Sequence, residues 1–138
     1  MVGPREAGKT EALLMWLSQG IEVPDYSAIF FRRTYAQLSK SNDSPLTKAF
    51  ELFRPLGGKY KASKYRWTFP SGASIEFGHL QHEMSVMDYQ GPAYHRVAFD
   101  ELTQFSEAQY TYLFSRMRMR KDFPISDGRS RYEQPRRP

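Results

Sequence analysis

Residues 3–10 read Gly-Pro-Arg-Glu-Ala-Gly-Lys-Thr: two glycines with four residues between them, the second followed at once by a lysine and a hydroxyl residue. This is the pattern G-x-x-x-x-G-K-[ST], a turn whose backbone N–H groups cradle phosphates. Its lysine reaches the β- and γ-phosphates and its hydroxyl helps to hold Mg²⁺. On this reading Gly3, Pro4, Arg5, Glu6, Ala7, Gly8, Lys9 and Thr10 form a nucleotide-binding loop, with Thr10 a metal ligand. Such a loop normally joins a buried strand to a helix, and only Met1 and Val2 precede Gly3. The bland alternative is a glycine turn opening an ordinary helix.

The chain that follows alternates helix and strand signals. Leu13, Trp16 and Leu17 share one face of a helix expected over residues 11–17, with Gly20 as its stop. Residues 27–31, Ser-Ala-Ile-Phe-Phe, look like a strand buried on both faces. Arg32 and Arg33 stand at its end, where ligands gather in open α/β sheets. They meet nucleotide, DNA or a neighbouring subunit, or are simply solvated. Ser44 is a helix N-cap with Pro45 at the first helical position. Leu46, Ala49, Phe50 and Phe53 make the apolar stripe, and Gly57-Gly58 ends it. Tyr65, Trp67 and Phe69, then Ala73, Ile75 and Phe77, alternate with polar residues about a Pro70-Ser71-Gly72 turn, which predicts a β-hairpin over residues 64–80. A short helix or loop is expected over residues 81–89, a second buried strand at Val97-Ala98-Phe99, and a helix capped by Ser106 with Tyr110, Leu113, Phe114 and Met117 on one face. Arg116, Arg118, Arg120 and Lys121 would close that helix, where cations suit its dipole.

Val97-Ala98-Phe99 runs into Asp100-Glu101. In phosphate-loop ATPases an aspartate at the end of a hydrophobic strand helps to hold Mg²⁺, and an adjacent glutamate suits general-base work on water. By itself this is a strand entering a charged turn; with residues 3–10 upstream it becomes a second half-site. The catalytic set is then Glu101, Arg5 and Lys9, and the metal ligands are Thr10 and Asp100. Arg5, inside the loop, either spreads charge off the γ-phosphate or is an exposed loop cation. His79-x-x-His82-Glu83 lacks the third histidine that a zinc site would use. Lys59, Lys61, Lys64 and Arg66 interleave with Tyr60, Tyr65 and Trp67, a mixture that serves nucleic acid but reads better as a solvated face over a packed aromatic one.

Composition sets outer limits. The chain has 138 residues, 40% hydrophobic and 15% aromatic, enough for a folded core. No apolar run approaches the roughly 20 residues of a membrane span. Cysteine is absent, which excludes disulfides and thiolate metal sites. Net charge is +5, compatible with an anionic partner. Residues 126–138 carry four arginines and two further prolines beyond residue 124 without apolar periodicity.

In order, residues 3–10, Phe31-Arg32-Arg33-Thr34-Tyr35-Ala36-Gln37-Leu38, residues 69–77, Tyr89-Gln90-Gly91, residues 97–104 and Leu113-Phe114-Ser115-Arg116-Met117-Arg118 resemble the ATPase half of a large terminase subunit of tailed bacteriophages. The resemblance covers about residues 1–125. It implies an α/β fold, a phosphate-loop NTPase with a mostly parallel sheet of the additional-strand class, incomplete at both ends. It implies ATP and Mg²⁺ as cofactors and ATP hydrolysis coupled to translocation of double-stranded DNA in the bacterial host cytoplasm. A portal protein and a small terminase subunit would be partners, with no membrane involved. Carried over by position, Lys9 binds phosphate, Thr10 and Asp100 hold Mg²⁺, Glu101 activates water and Arg5 is the loop arginine.

The resemblance implies that residues 1–125 form a partial ATPase domain, with residues 126–138 expected to be a disordered or frameshifted tail. Its end can be encoded so that dropping one base yields Ala-Met-Ser-Asn-Pro-Gly-Gly, close to the family's coupling motif. The alternatives are an inactive prophage remnant with weak nucleotide or nucleic-acid binding, and a helicase-like DNA-dependent ATPase.

Overall fold

The computed structural model describes residues 3–32, 38, 44–79, 93–100, 106–108, 111 and 118–119, and side chains of the first helix from residue 8 onward. The expectations for residues 81–89, for the Tyr110, Leu113, Phe114 and Met117 face, and for residues 126–138 lie outside these. Helix α1 spans Gly3–Leu17, β1 Ser27–Arg32, α2 Pro45–Phe53, β2 Lys59–Lys61, β3 Arg66–Thr68, β4 Ser74–His79, β5 Ala93–Tyr94, β6 Arg96–Phe99 and β7 Arg118–Met119.

Strand β1 organises the sheet. Its four central residues, Ala28, Ile29, Phe30 and Phe31, are fully buried, so it needs cover on both faces and neighbours on both edges. It pairs in parallel with β4 on one side and β6 on the other. The sheet order is β2-β3-β4-β1-β6, and the outer pairs β2·β3 and β3·β4 are antiparallel. The described sheet is therefore mixed rather than mostly parallel. The predicted hairpin accounts for one antiparallel pair: Trp67 faces Ile75 across it, and Gly72 turns the chain at φ 101°. Strand β2 was not foreseen, because its three residues alternate too briefly to give a periodic signal. It adds the outer antiparallel edge.

The two faces of β1 have different company. Ala28 and Phe30 join Leu14 and Leu17 of α1, Leu46, Ala49 and Phe53 of α2, and Trp67, Ile75 and Phe77 of the hairpin in one core. Phe30 packs on Phe77 at 5.4 Å, and Trp67 receives the ring edges of Phe50 and Phe53 at 4.9 and 5.6 Å. On the opposite face Phe31 stacks on Phe99 at 5.3 Å. Burying side chains of this size contributes about 1.5–3 kcal/mol each.

Both helices depart slightly from their expected stripes, α2 in that Phe50 is exposed while Leu46, Ala49 and Phe53 are buried. In α1 the fully buried pair is Leu14 and Leu17, with Leu13 and Trp16 only partly covered. Trp16 instead lies under the guanidinium of Arg96, 4.5 Å from its ring, while Arg96 Nη1 donates to the Trp16 carbonyl and to Gln19. The start of β6 is thereby tied to the end of α1. In α2 the cap is as expected: Ser44 Oγ accepts from the Thr47 backbone N–H at 3.3 Å, and Pro45 occupies the first turn. A 3₁₀ turn extends the helix to Leu56, and Gly57 then leaves it in the left-handed region, φ 87°.

Two further differences concern the chain ends of the motif-bearing segments. Backbone helix begins at Gly3 and not near Glu11, so residues 3–10 are the opening turns of α1. Pro4 is well tolerated in a first turn, and Arg5, Glu6 and Ala7 are good helix formers, so local propensity favours this form. Arg118, expected in a helix, lies in β7, paired in parallel with Ala93. There a backbone ladder overrides a helical sequence preference.

Two substitutions test this packing. Gly20 is buried where any Cβ would collide with the Tyr26 ring, whose hydroxyl donates to the Leu17 carbonyl. Gly20→Ala should cost about 1–3 kcal/mol in denaturant unfolding. Ser44→Ala should cost about 1 kcal/mol through loss of the α2 cap; unchanged midpoints would contradict these assignments.

Candidate nucleotide and metal site

Strands β1 and β6 run side by side in the same direction, with Phe31 opposite Phe99. Their next residues, Arg32 and Asp100, therefore emerge together at the carboxyl edge of the sheet, where ligands bind in open α/β folds. The Asp100 N–H donates to the Phe31 carbonyl at 2.9 Å, carrying the ladder one residue past β6 and fixing the aspartate's backbone.

Helix α1 delivers the second element. Leu14 and Leu17 anchor it to the sheet, and Thr10, one turn before Leu14, projects from the same side at 4% exposure. Its hydroxyl donates to Asp100 Oδ2 at 2.8 Å, joining positions 90 residues apart. Arg32 approaches the same oxygen twice, through Nε at 2.8 Å and Nη2 at 2.7 Å. Asp100 itself is 2% exposed. A carboxylate this deeply buried is costly unless its charge is answered. A guanidinium giving two charge-assisted bonds and a hydroxyl giving a third meet that requirement. All three contacts fall on Oδ2. Among the described residues none falls on Oδ1.

The structure thus brings Thr10 and Asp100 together, as the sequence pattern requires of two metal ligands. Lys9, one residue before Thr10, is exposed, and so is Gly8. Gly3, Pro4, Arg5, Glu6 and Ala7 contribute helical backbone, their side chains lying outside the described residues. Glu101 and Arg33 also lie outside. The expected open cradle is not the form described. In α1 the backbone N–H groups beyond the first turn serve the helix itself, and among the described residues no strand leads into Gly3.

Arg32 is the partner of Asp100 that sequence reasoning does not place. The sequence offers it several partners as a strand-end cation, whereas it closes on Asp100. The signal exists only in the register: an arginine ending one strand and an aspartate just past another meet only if those strands are parallel neighbours.

A hydroxyl and a carboxylate are hard oxygen donors suited to Mg²⁺, which commonly takes one or two protein oxygens and completes its shell with water and phosphate. Thr10 donates its proton to Asp100, which leaves its oxygen lone pairs available to a cation, and among the described residues no contact falls on Asp100 Oδ1. The residues therefore fit the metal that the motif implies. The basic and aromatic stretch resolves differently. Trp67 is fully buried, Lys59, Lys61 and Lys64 are exposed, and Arg66 is paired with Glu76 at 3.1 Å, a solvated face over an aromatic core.

Among known proteins, the family model described as terminase large subunit, T4likevirus-type, N-terminal, matches residues 1–124. Neither a curated protein nor a solved structure matches the chain. With nearly the whole chain covered and the motif residues in their expected order, the chain belongs to the T4likevirus-type terminase large subunit N-terminal family.

Proposed function

We propose that this chain is nucleotide-hydrolysing machinery of a phage DNA-packaging motor, built on a phosphate-loop fold of the additional-strand class. Family membership supports a role in phage DNA packaging. The hydrolytic reading is carried by one observation: Thr10 and Asp100, the expected metal ligands of two separate motifs, are hydrogen-bonded at the carboxyl edge of parallel strands. Gly8 adds support. In the helical form a Cβ there would meet nothing within 4 Å, so packing does not account for glycine at this position. A phosphate-binding turn does account for it, since close approach of backbone to phosphate and freedom of φ both favour glycine.

ATP and Mg²⁺ are the cofactors of this reading. Mg²⁺, when bound, neutralises charge on the phosphate oxygens. Thr10 and Asp100 would hold it. The exposed Lys9 ammonium would bind the β- and γ-phosphates, and residues 3–8 would turn their N–H groups toward them, which requires the opening turns of α1 to uncoil. The Glu101 carboxylate would orient the attacking water and accept its proton as oxygen bonds to the γ-phosphorus and the bond to the leaving ADP oxygen breaks. Arg5 would stabilise charge on the equatorial oxygens. Coupling to double-stranded DNA translocation, and assembly with a portal protein and a small terminase subunit, follow from the same reading. Among the described residues no helix is long and apolar enough to cross a membrane.

Two variants separate the steps. Mg²⁺ with ATP at ~100 times its Kd should stabilise the protein by about 2.7 kcal/mol in a thermal melt, and Lys9→Ala should abolish that shift. Glu101→Gln should retain the shift but release phosphate about 10²–10⁴-fold more slowly. Phosphate release by Glu101→Gln at the parent rate would contradict the role given to Glu101, and absence of any Mg²⁺–ATP shift would contradict the nucleotide reading itself.

A further inference from the structure

The geometry points to Arg32 as a resident counter-cation that holds Asp100 against bare metal, so that the site takes a divalent ion together with a polyphosphate and not alone. The inference rests on the metal-site reading of Thr10 and Asp100 given above. It starts from an asymmetry in the contacts of Asp100: both guanidinium contacts and the Thr10 hydroxyl converge on Oδ2.

Two consequences follow from elementary electrostatics. First, the aspartate's charge is already answered by a fixed cation that is 13% exposed, hence little screened by solvent. A divalent ion arriving at Thr10 Oγ1 or Asp100 Oδ1 would meet the guanidinium at close range, and like charges in a partly buried site repel strongly. Second, a bound polyphosphate brings several negative charges to the same edge of the sheet. These offset the repulsion, so metal and nucleotide favour each other there. Arg32 acts on the metal through Asp100 and its own charge, without being a ligand; it is a positioning residue. Its place is set by β1, whose register beside β6 brings residues 32 and 100 level.

The test is Mn²⁺ binding to the full chain without nucleotide, followed by the electron paramagnetic resonance signal of free Mn²⁺. Arg32→Gln removes the charge and should bind Mn²⁺ more tightly than the parent, by roughly tenfold. Arg32→Lys keeps the charge and should remain close to the parent. Equal or weaker binding by a folded Arg32→Gln protein would overturn the proposal while leaving the metal site standing. Binding by neither parent nor variant would overturn the metal-site reading along with it. Because Arg32→Gln leaves a buried carboxylate poorly answered, a second measurement uses the parent protein. Its Arg32 Nε–H resonance, assigned by its loss in Arg32→Lys, should shift as Mg²⁺ is titrated to saturation into the protein already saturated with ATP. Saturation without a shift would overturn the proposal irrespective of the Gln variant's folding.

Discussion

One buried carboxylate decides how the described elements meet. A carboxylate at 2% exposure is costly to bury without partners, and those of Asp100 come from two distant stretches of chain: Thr10 from α1 and Arg32 from β1. Removing one member of such a set leaves charge or donors unanswered, which is costlier than the set's own net contribution. The cluster therefore constrains the position of α1 on the sheet more specifically than apolar packing by Leu14 and Leu17, which tolerates small shifts in register.

The same contacts connect fold and chemistry. β1 is fully covered because it is central, and being central it brings Arg32 level with the aspartate of β6. The hairpin supplies β4, the other neighbour of β1, and Trp67, around which Phe50 and Phe53 of α2 are set. At the opposite end of β6, Arg96 clasps the end of α1 through the Trp16 carbonyl and Gln19. α1 is thus held at two points along its length, at its middle by Asp100 through Thr10 and near its end by Arg96 through Trp16. In a family of terminase large subunits, this gives the segment bearing Lys9 and Thr10 a stiff mounting on the strand bearing Asp100.

Much of this was legible in the sequence, for identifiable reasons. The apolar run at residues 27–31 announced a strand covered on both faces. Alternation about Gly72 announced the β3–β4 hairpin, and Ser44-Pro45 announced the start of α2. Each of these signals is local, and each survives in the structure. The meeting of Thr10 with Asp100 was legible too, through the paired motifs and not through periodicity. What was not legible depends on pairing over distance. The antiparallel outer strands make the sheet mixed, and three-residue β2 carries no pattern of its own. Arg32 finds Asp100 through a register no local window encodes. Local signals also conflicted at residues 3–10, where glycine spacing indicated a phosphate turn and helix propensity favoured the helical form described.

The central claim is that Thr10 and Asp100 act as one unit on the same metal–nucleotide complex. A double-mutant cycle with Thr10→Val, Asp100→Asn and the double variant, read as Mg²⁺–ATP affinity by calorimetry, measures this directly. Groups in one network couple by about 0.5–3 kcal/mol, so the account predicts a double variant distinctly less impaired than the sum of the singles. Additive losses would show two independent residues and would contradict it.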